Sequence, residues 1–591
     1  MITKTNIYNK VTEAGKRALY LMVAPLMLAS CVDTVILPDN KTVDDDYWQK
    51  KNEVDALVGA AYAQLRDESA IRNMIVWGDF RSDELVMTTA LPVSAGYRIP
   101  LQQIYSMNIE TENAFTGWAP FYSAINYCNL VLERAEGVVS VDPDYTRGDY
   151  EANRAQMLAL RAWCYFYLSK VFHDVPVTPH AYMDSSDDLN AVQVSPDTLL
   201  NMCIADLQEA SKYAVAGNIY GDWRDRGYLN QDGINAILAD IYLWRGSINR
   251  DASDYQACVD YCDKVIQAKK TAYEQDPAKR RLMMNEGEKD YYLSTYRTMY
   301  ADLFGTSGQN ADESIWELQF QNSSVSNRGL DQMFYRYNFA SGNGYGYLKA
   351  AKVFGMVDQK GDGVWLNDKD QRLKEYVYDA NGNAEQFGVR KNIEPIRQGY
   401  LTAIAAEPSG NRTYSMNKNW ILYRLTDVML MKAEALVQLY QLGGSQEDDT
   451  RNEEAFNLCK FVNDRTLSQD DLSANQLKYT TYRDKMEQLV LAERARELCF
   501  EGKRFFDLMR YNYRHTATKA NLKSKLFDAD YATVLNSTEF FELALRKYAV
   551  PTAMRAKMRD ERYLYMPINQ DETEVNPALV QNPVYKSAAK Y

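Results

Sequence analysis

The densest reactive chemistry in this sequence is carboxylate chemistry. Glu493, Glu497 and Glu501 recur every four residues, so on a helix they share one face, and Arg494, Arg496 and Arg504 lie among them. Glycoside hydrolysis requires a pair of carboxyl groups, one acting as acid and the other as base or nucleophile. The flanking guanidiniums oppose that use, because a nearby cation lowers a carboxylate's pKa whereas a general acid needs it raised. With apolar Leu498, Phe500, Phe505 and Phe506 around it, the block reads as a packed salt-bridge network tying the last helix to a scaffold. A second acidic group comprises Asp358, Asp362, Asp368 and Asp370 with Gly363. Calcium favours such oxygens, but Lys369 stands where an EF-hand loop needs glutamate, so a solvated turn is expected.

Other reactive motifs are missing. Only 3 histidines are present, and the Gly-x-Ser-x-Gly, His-Glu-x-x-His and phosphate-loop lysine patterns do not occur. Gly342, Gly344 and Gly346 have the wrong spacing for a dinucleotide and lie among tyrosines, where they supply flexibility. The net charge of -13, with no long basic block, argues against nucleic acid. No cofactor is implied.

Binding chemistry is better represented. The chain has 44 tyrosines, rings that suit both helix packing and flat ligand contact. Two Gly- and aromatic-rich loop clusters mix rings with polar donors and acceptors. One is Trp77, Asp79, Arg81 and Asp83, with Tyr97, Arg98 and Tyr105 downstream; the other is Tyr335, Arg336, Tyr337, Phe339, Tyr345 and Tyr347. Sugars present apolar C–H faces and a rim of hydroxyls, so these regions are the expected glycan contacts.

The elements that must hold such loops are helices. Ile237, Leu238, Ile241, Tyr242 and Trp244 give one apolar stripe, and Val259, Cys262, Val265 and Ile266 a second after a polar turn, which predicts a helical hairpin. Further amphipathic helices are predicted over Phe121 to Ala135, Ala155 to Phe172, Thr198 to Tyr213, Leu422 to Tyr440 and Glu453 to Asn463. Small residues (Ala159, Ala162, Ala236, Ala239, Ala433, Ala435) recur where helices would approach closely. The pattern is a mostly α, tetratricopeptide-like helix-pair scaffold with irregular spacing, large loop-rich insertions and a few short strands. The insertions run over about 77–118 and 273–420 of a single domain, 47–591.

The first thirty residues read as a secretory signal: basic Lys4, Lys10, Lys16 and Arg17, then an apolar stretch from Ala18 to Ala29 that is too short to span a membrane. Leu28-Ala29-Ser30-Cys31 resembles a bacterial lipobox, which implies cleavage before Cys31, its acylation, and a polar tether over 31–46. The other seven cysteines are odd in number and sit in apolar helical patterns, so buried free thiols are expected.

Short blocks along nearly the whole chain resemble one family. They are Trp118 with Phe121 to Asn126; Leu160 to Phe166 through Val171-Phe172-His173-Asp174-Val175-Pro176; Glu313 to Glu317; Arg424 to Val428 with Ala433-Glu434-Ala435; and Glu493-Arg494, Arg496-Glu497-Leu498, Phe500 to Arg504 and Asp507-Leu508. The tail adds Met566-Pro567-Ile568, Asn576-Pro577, Gln581-Asn582-Pro583 and Tyr585. This is similar to the SusD/RagB family of outer-membrane nutrient-binding lipoproteins. The chain departs from it at His173 and Val584, where glycine is usual, and at Asn569, where proline is. The resemblance implies four helix pairs carrying a ligand half, and a lipid-anchored, cell-surface, non-enzymatic glycan receptor. Such a receptor passes its ligand to a SusC-like TonB-dependent transporter. A peptide or glycopeptide receptor of the same family, a glycoside hydrolase and a purely structural helical scaffold are the competing readings.

Overall fold

The computed structural model describes residues 47–585 except 89–95, 184–189, 278–292, 295–302, 305–308, 321–324, 335–345, 359–362, 380–386, 392–417, 445–448, 469, 473–476, 518, 530 and 532–534. The signal segment, Cys31, the tether, Tyr335, Tyr337 and Tyr345 lie outside the described residues. The described helices and strands belong to one compact unit, Trp48–Ala181 with Asp188–Tyr591. The chain's other unit, Met1–Tyr47 with Tyr182–Asp187, falls almost wholly outside the described residues.

The principal helices are α1 (Lys51–Gln64), α2 (Glu68–Ile75), α3 (Arg98–Tyr105), α4 (Ala119–Val138), α5 (Arg147–Phe172), α6 (Pro196–Ala210), α7 (Gln231–Asn249), α8 (Ala252–Gln275), α9 (Arg328–Phe334), α10 (Leu425–Gly443), α11 (Arg451–Asp464), α12 (Met486–Leu498) and α13 (Arg504–His515). Their starts follow from local side-chain chemistry. The Thr146 hydroxyl accepts from the Asp149 amide while the Asp149 carboxylate accepts from the Thr146 amide, a capping box that opens α5. Asn230 accepts from the amides of Asp232 and Gly233 at α7, and Asp251 from that of Ser253 at α8. Between α7 and α8 the chain turns through Arg250 in the left-handed region at φ 50°, giving the hairpin that the periodicity predicts.

Helix α4 packs on α5, α5 on α6, α7 on α8, α8 on α10, and α10 on α11 and α12. The six alanines named above are all fully buried, which lets neighbouring helices approach closely. The seven described cysteines are free and buried. Sγ of Cys258 lies 4.0 Å from that of Cys262, one turn along α8.

The strands are short: β1 (Leu85–Met87), β2 (Val175–Pro176), β3 (Gln193–Val194), β4 (Ser314–Leu318), β5 (Leu348–Ala350), β6 (Val377–Asp379), β7 (Phe387–Val389) and β8 (Trp420–Arg424). They form a four-stranded sheet in the order β1-β5-β7-β6 and the pairs β2-β3 and β4-β8. The helix predicted from Leu422 begins instead at Leu425, because residues 420–424 are a strand buried on both faces against β4. Such a continuous apolar run has no alternation to mark it as a strand. His173, at a position where glycine is usual in the family, has φ 69°, the left-handed region that glycine enters freely.

Candidate ligand-binding site

The glutamate block is interior among the described residues. Glu493 and Glu497 have no exposed surface. Glu497 accepts from Arg424 Nη1 at 2.6 Å and Arg372 Nη1 at 2.9 Å, and also from Arg465. Burial raises the Glu497 carboxyl, but the guanidiniums of Arg465, Arg424 and Arg372 outweigh it and hold the group well below the usual carboxylate range. The network predicted from sequence is therefore present, though much of its positive charge comes from other segments. Arg494 turns to Asp427 and Asp507, and Arg504 to Asp83. Asp370, from the acidic loop, caps its own short helix and holds Arg372 at 2.7 Å.

The first loop cluster is mostly core, which corrects four expected ligand contacts. Trp77 is fully buried against Phe121, Tyr167 and Phe172, with Nε1 donating to the Phe115 carbonyl at 2.8 Å. Gly78 lies on the backbone of Gly502, where a Cβ would stand 1.9 Å from the carbonyl oxygen. Asp79 accepts from the Gly502 and Lys503 amides, Asp83 pairs with Arg504 at 2.9 Å and Arg546 at 2.6 Å, and Arg81 donates to the carbonyls of Tyr563 and Leu564. The segment Val76–Phe80 continues α2 as a wide helical turn; Trp77, Asp79 and Asp83 are fully buried and Arg81 is only 8% exposed, which leaves little surface for a sugar.

Asp79 and Glu84 form a buried acid pair. Burial pushes the Asp79 carboxyl up to about 7, against the lowering effect of the amides it accepts from, and raises Glu84 well above its usual value, helped by the Asp79 charge. A carboxyl with a raised folded-state pKa holds a proton that the unfolded chain has released, so its share of stability falls as pH rises from about 4 to about 7. Glu84→Gln keeps an acceptor for the Phe500 amide, which Glu84 now meets at 3.0 Å, and removes one of the two charges. The variant is expected to lose less stability than the native protein between pH 5 and 8, by up to about 1.4 kcal/mol per pH unit. Urea unfolding at several pH values reads this directly; parallel slopes for the two proteins would refute the pairing.

One ring from each loop cluster, Tyr97 and Tyr347, meets the other at a surface patch, while Tyr105 packs on Phe80 and Tyr548. Strand β1 pairs antiparallel with β5, Met87 opposite Leu348. Beyond it, Thr88 donates from its amide to the Tyr347 carbonyl at 3.0 Å and from Oγ1 to the Gly346 carbonyl at 2.7 Å. Gly346 is needed here because a Cβ would meet the Met333 carbonyl at 2.5 Å. This pairing sets Tyr347 beside Tyr97, the residue that precedes α3, with ring centroids 5.3 Å apart, edge to face. Tyr97 also touches Phe115 at 5.5 Å, and the Arg72 guanidinium lies 4.6 Å over its ring. Arg72 is oriented by Glu68 Oε1 at 2.8 Å and Gln332 Oε1 at 2.9 Å. Tyr97, Arg98 and Tyr347 are half-buried, and Glu68 and Gln332 also reach the surface.

The patch therefore combines two partly exposed rings with a guanidinium, a carboxylate and a carboxamide, the chemistry expected for hydroxyl-rich ligands. Sequence reasoning named Tyr97 and Tyr347, which the structure brings together, and Arg98, next in the chain, but not Glu68, Arg72 and Gln332. The first two have the i, i+4 spacing of an ordinary helix-surface pair, which carries no signal of a site.

Comparison with known proteins places this architecture. A model described as the SusD family matches residues 312–585, and one described as starch-binding and associating with the outer membrane matches residues 37–243. A SusD-like protein of Formosa agariphila is 24% identical over 519 residues, spanning 83% of this chain and 90% of its own. A SusD superfamily protein of Bacteroides thetaiotaomicron superposes with a TM-score of 0.61 at 20% identity, covering 91% of this chain and 99% of its own. Surface glycan-binding protein A of Bacteroides uniformis gives 0.61 at 18% identity, covering 90% and 99%. With the SusD family model matching its C-terminal part, a separate SusD-like model its N-terminal part, and its fold shared with solved SusD superfamily proteins, the chain is a SusD-like protein.

Proposed function

We propose that the protein is a non-catalytic glycan receptor of the bacterial outer membrane. Lipid on Cys31 holds it there, and it captures an oligo- or polysaccharide outside the cell for a SusC-like TonB-dependent transporter. The observation that carries the reading is the meeting of Tyr97 and Tyr347, brought from two distant loops to one half-exposed patch with Arg72, Glu68 and Gln332 around it. The family model's description as starch-binding and outer-membrane-associated supports both the ligand class and the place. The named function of the Bacteroides uniformis relative agrees. The glutamates that could have hydrolysed a glycosidic bond are buried and ion-paired, which supports binding without cleavage. Among the described residues no helix is long and apolar enough to cross a membrane.

Calorimetric titration against a panel of polysaccharides and oligopeptides tests this. A micromolar or weaker glycan Kd is expected, since the ligand must be released onward. Tyr97→Ala and Tyr347→Ala should each weaken it about tenfold, roughly 1.4 kcal/mol. Folded protein that binds no glycan in the panel, or that binds only peptides, contradicts the proposal, as does the appearance of new reducing ends on incubation.

A further inference from the structure

Away from the ring patch, helices α6, α7 and α8 border an open groove of about 860 Å³. At its base stand two side chains one turn apart on α7, Asp232 and Asn235, which are only 5% and 4% exposed. Among the described residues neither the Asp232 carboxylate nor the Asn235 carboxamide has a hydrogen-bond or ion-pair partner. Burial raises the Asp232 carboxyl and the charges of Lys269 and Arg226 lower it, but neither cation bonds to it. Lys269 Nζ donates to the Asp312 and Ser314 carbonyls, each at 2.8 Å, and Arg226 donates to Ala311, Asp225 and Asn218. The polar atoms of Asp232 and Asn235 meet only the water of the groove, which a ligand that hydrogen-bonds to them can replace.

The chemistry of the groove selects that ligand. The base offers the Asp232 carboxylate and the Asn235 carboxamide, and the exposed rim carries Asp260 and Asp263 against one cation, Lys264. Tyr261, on the wall, is no free platform for a sugar ring: it stacks on Tyr242 at 5.7 Å and 10°, and Lys264 Nζ sits 4.2 Å over it. Three carboxylates against one lysine along the lining, with no open aromatic face, favour a cationic head group over an uncharged sugar ring. A primary ammonium has three N–H donors and no acceptor. We propose that this groove is a second ligand site, separate from the ring patch, that takes a primary ammonium group through Asp232 and Asn235.

Titrating the full-length protein with glucosamine, with Nα-acetyl-lysine amide and with neutral N-acetylglucosamine tests the assignment. The first two carry the ammonium on a sugar and on a peptide unit, so whichever binds tighter identifies the carrier. The expected result is binding of at least one ammonium probe and at least tenfold weaker binding of the acetylated sugar. Asp232→Asn should weaken the ammonium probe tenfold or more. Gly217→Ala should do the same from outside the helix, since a Cβ there would fall 2.5 Å from Asp232 Oδ2 and displace it. Tyr97→Ala should leave ammonium binding unchanged, which separates failure of this site from failure of the ring patch. Equal binding of charged and acetylated sugars, no binding of either ammonium probe, or undiminished binding in both groove variants with native thermal midpoints would overturn the proposal.

Discussion

Glu497→Ala is expected to lower the free energy of unfolding by on the order of 3–5 kcal/mol, the cost of leaving buried charge without its partner. Glu497 is fully buried, as are Arg372 and Arg424, and Arg465 is nearly so; all three direct a guanidinium at its two oxygens. Removing the carboxylate leaves the junction of α10, α12 and the segment carrying Arg372 one negative charge short, with Arg372 kept by Asp370 and Glu493, Arg424 by Glu501 and Arg465 by Glu313. The same cations hold the carboxyl below its ordinary pKa, so its contribution is fully present above that value and is lost as pH falls through the depressed one. Guanidinium denaturation at neutral pH measures the loss. A shift within about 0.5 kcal/mol, the range of an ordinary surface change, would show that the network is not structural.

Trp77→Ala is expected to cost a further order of 3–5 kcal/mol for a different reason, the cavity left by a large buried ring. Trp77 fills the space among Phe121, Tyr167 and Phe172 and ties itself to the Phe115 carbonyl. Glycan affinity of the protein that remains folded should be unchanged. Native stability combined with lost glycan binding would return Trp77 to the ligand surface, where sequence reasoning first placed it.

That misplacement shows what composition can and cannot carry. A run such as Trp77-Gly78-Asp79-Phe80-Arg81 offers rings beside donors and acceptors, and a sugar platform and a packed polar core use the same residue types. What decides between them is Gly502 with its neighbours, which meet the segment from more than 400 residues away. Local pattern contains no trace of that contact. The helices were readable because their signal is local: the stripe from Ile237 to Trp244 and the recurring small residues each act within a few residues, whereas the Thr146 box that starts α5 at Arg147, ahead of the predicted Ala155, went unread. Strand β8 was not, since its five buried residues lack a period and its partner β4 is about a hundred residues earlier. At the ring patch, Tyr97 and Tyr347 were readable as loop aromatics, whereas Arg72 and Gln332 joined them only through the packing of α2 against α9.

The central claim is that two loops build one glycan site around Tyr97 and Tyr347. Titrating a bound glycan into the two alanine variants and their double variant tests it most directly. If the rings contact the same ligand as one unit, each single change weakens binding and the double change costs clearly less than the two losses added together. Either single variant binding the glycan with native affinity, while retaining its native thermal midpoint, would contradict it.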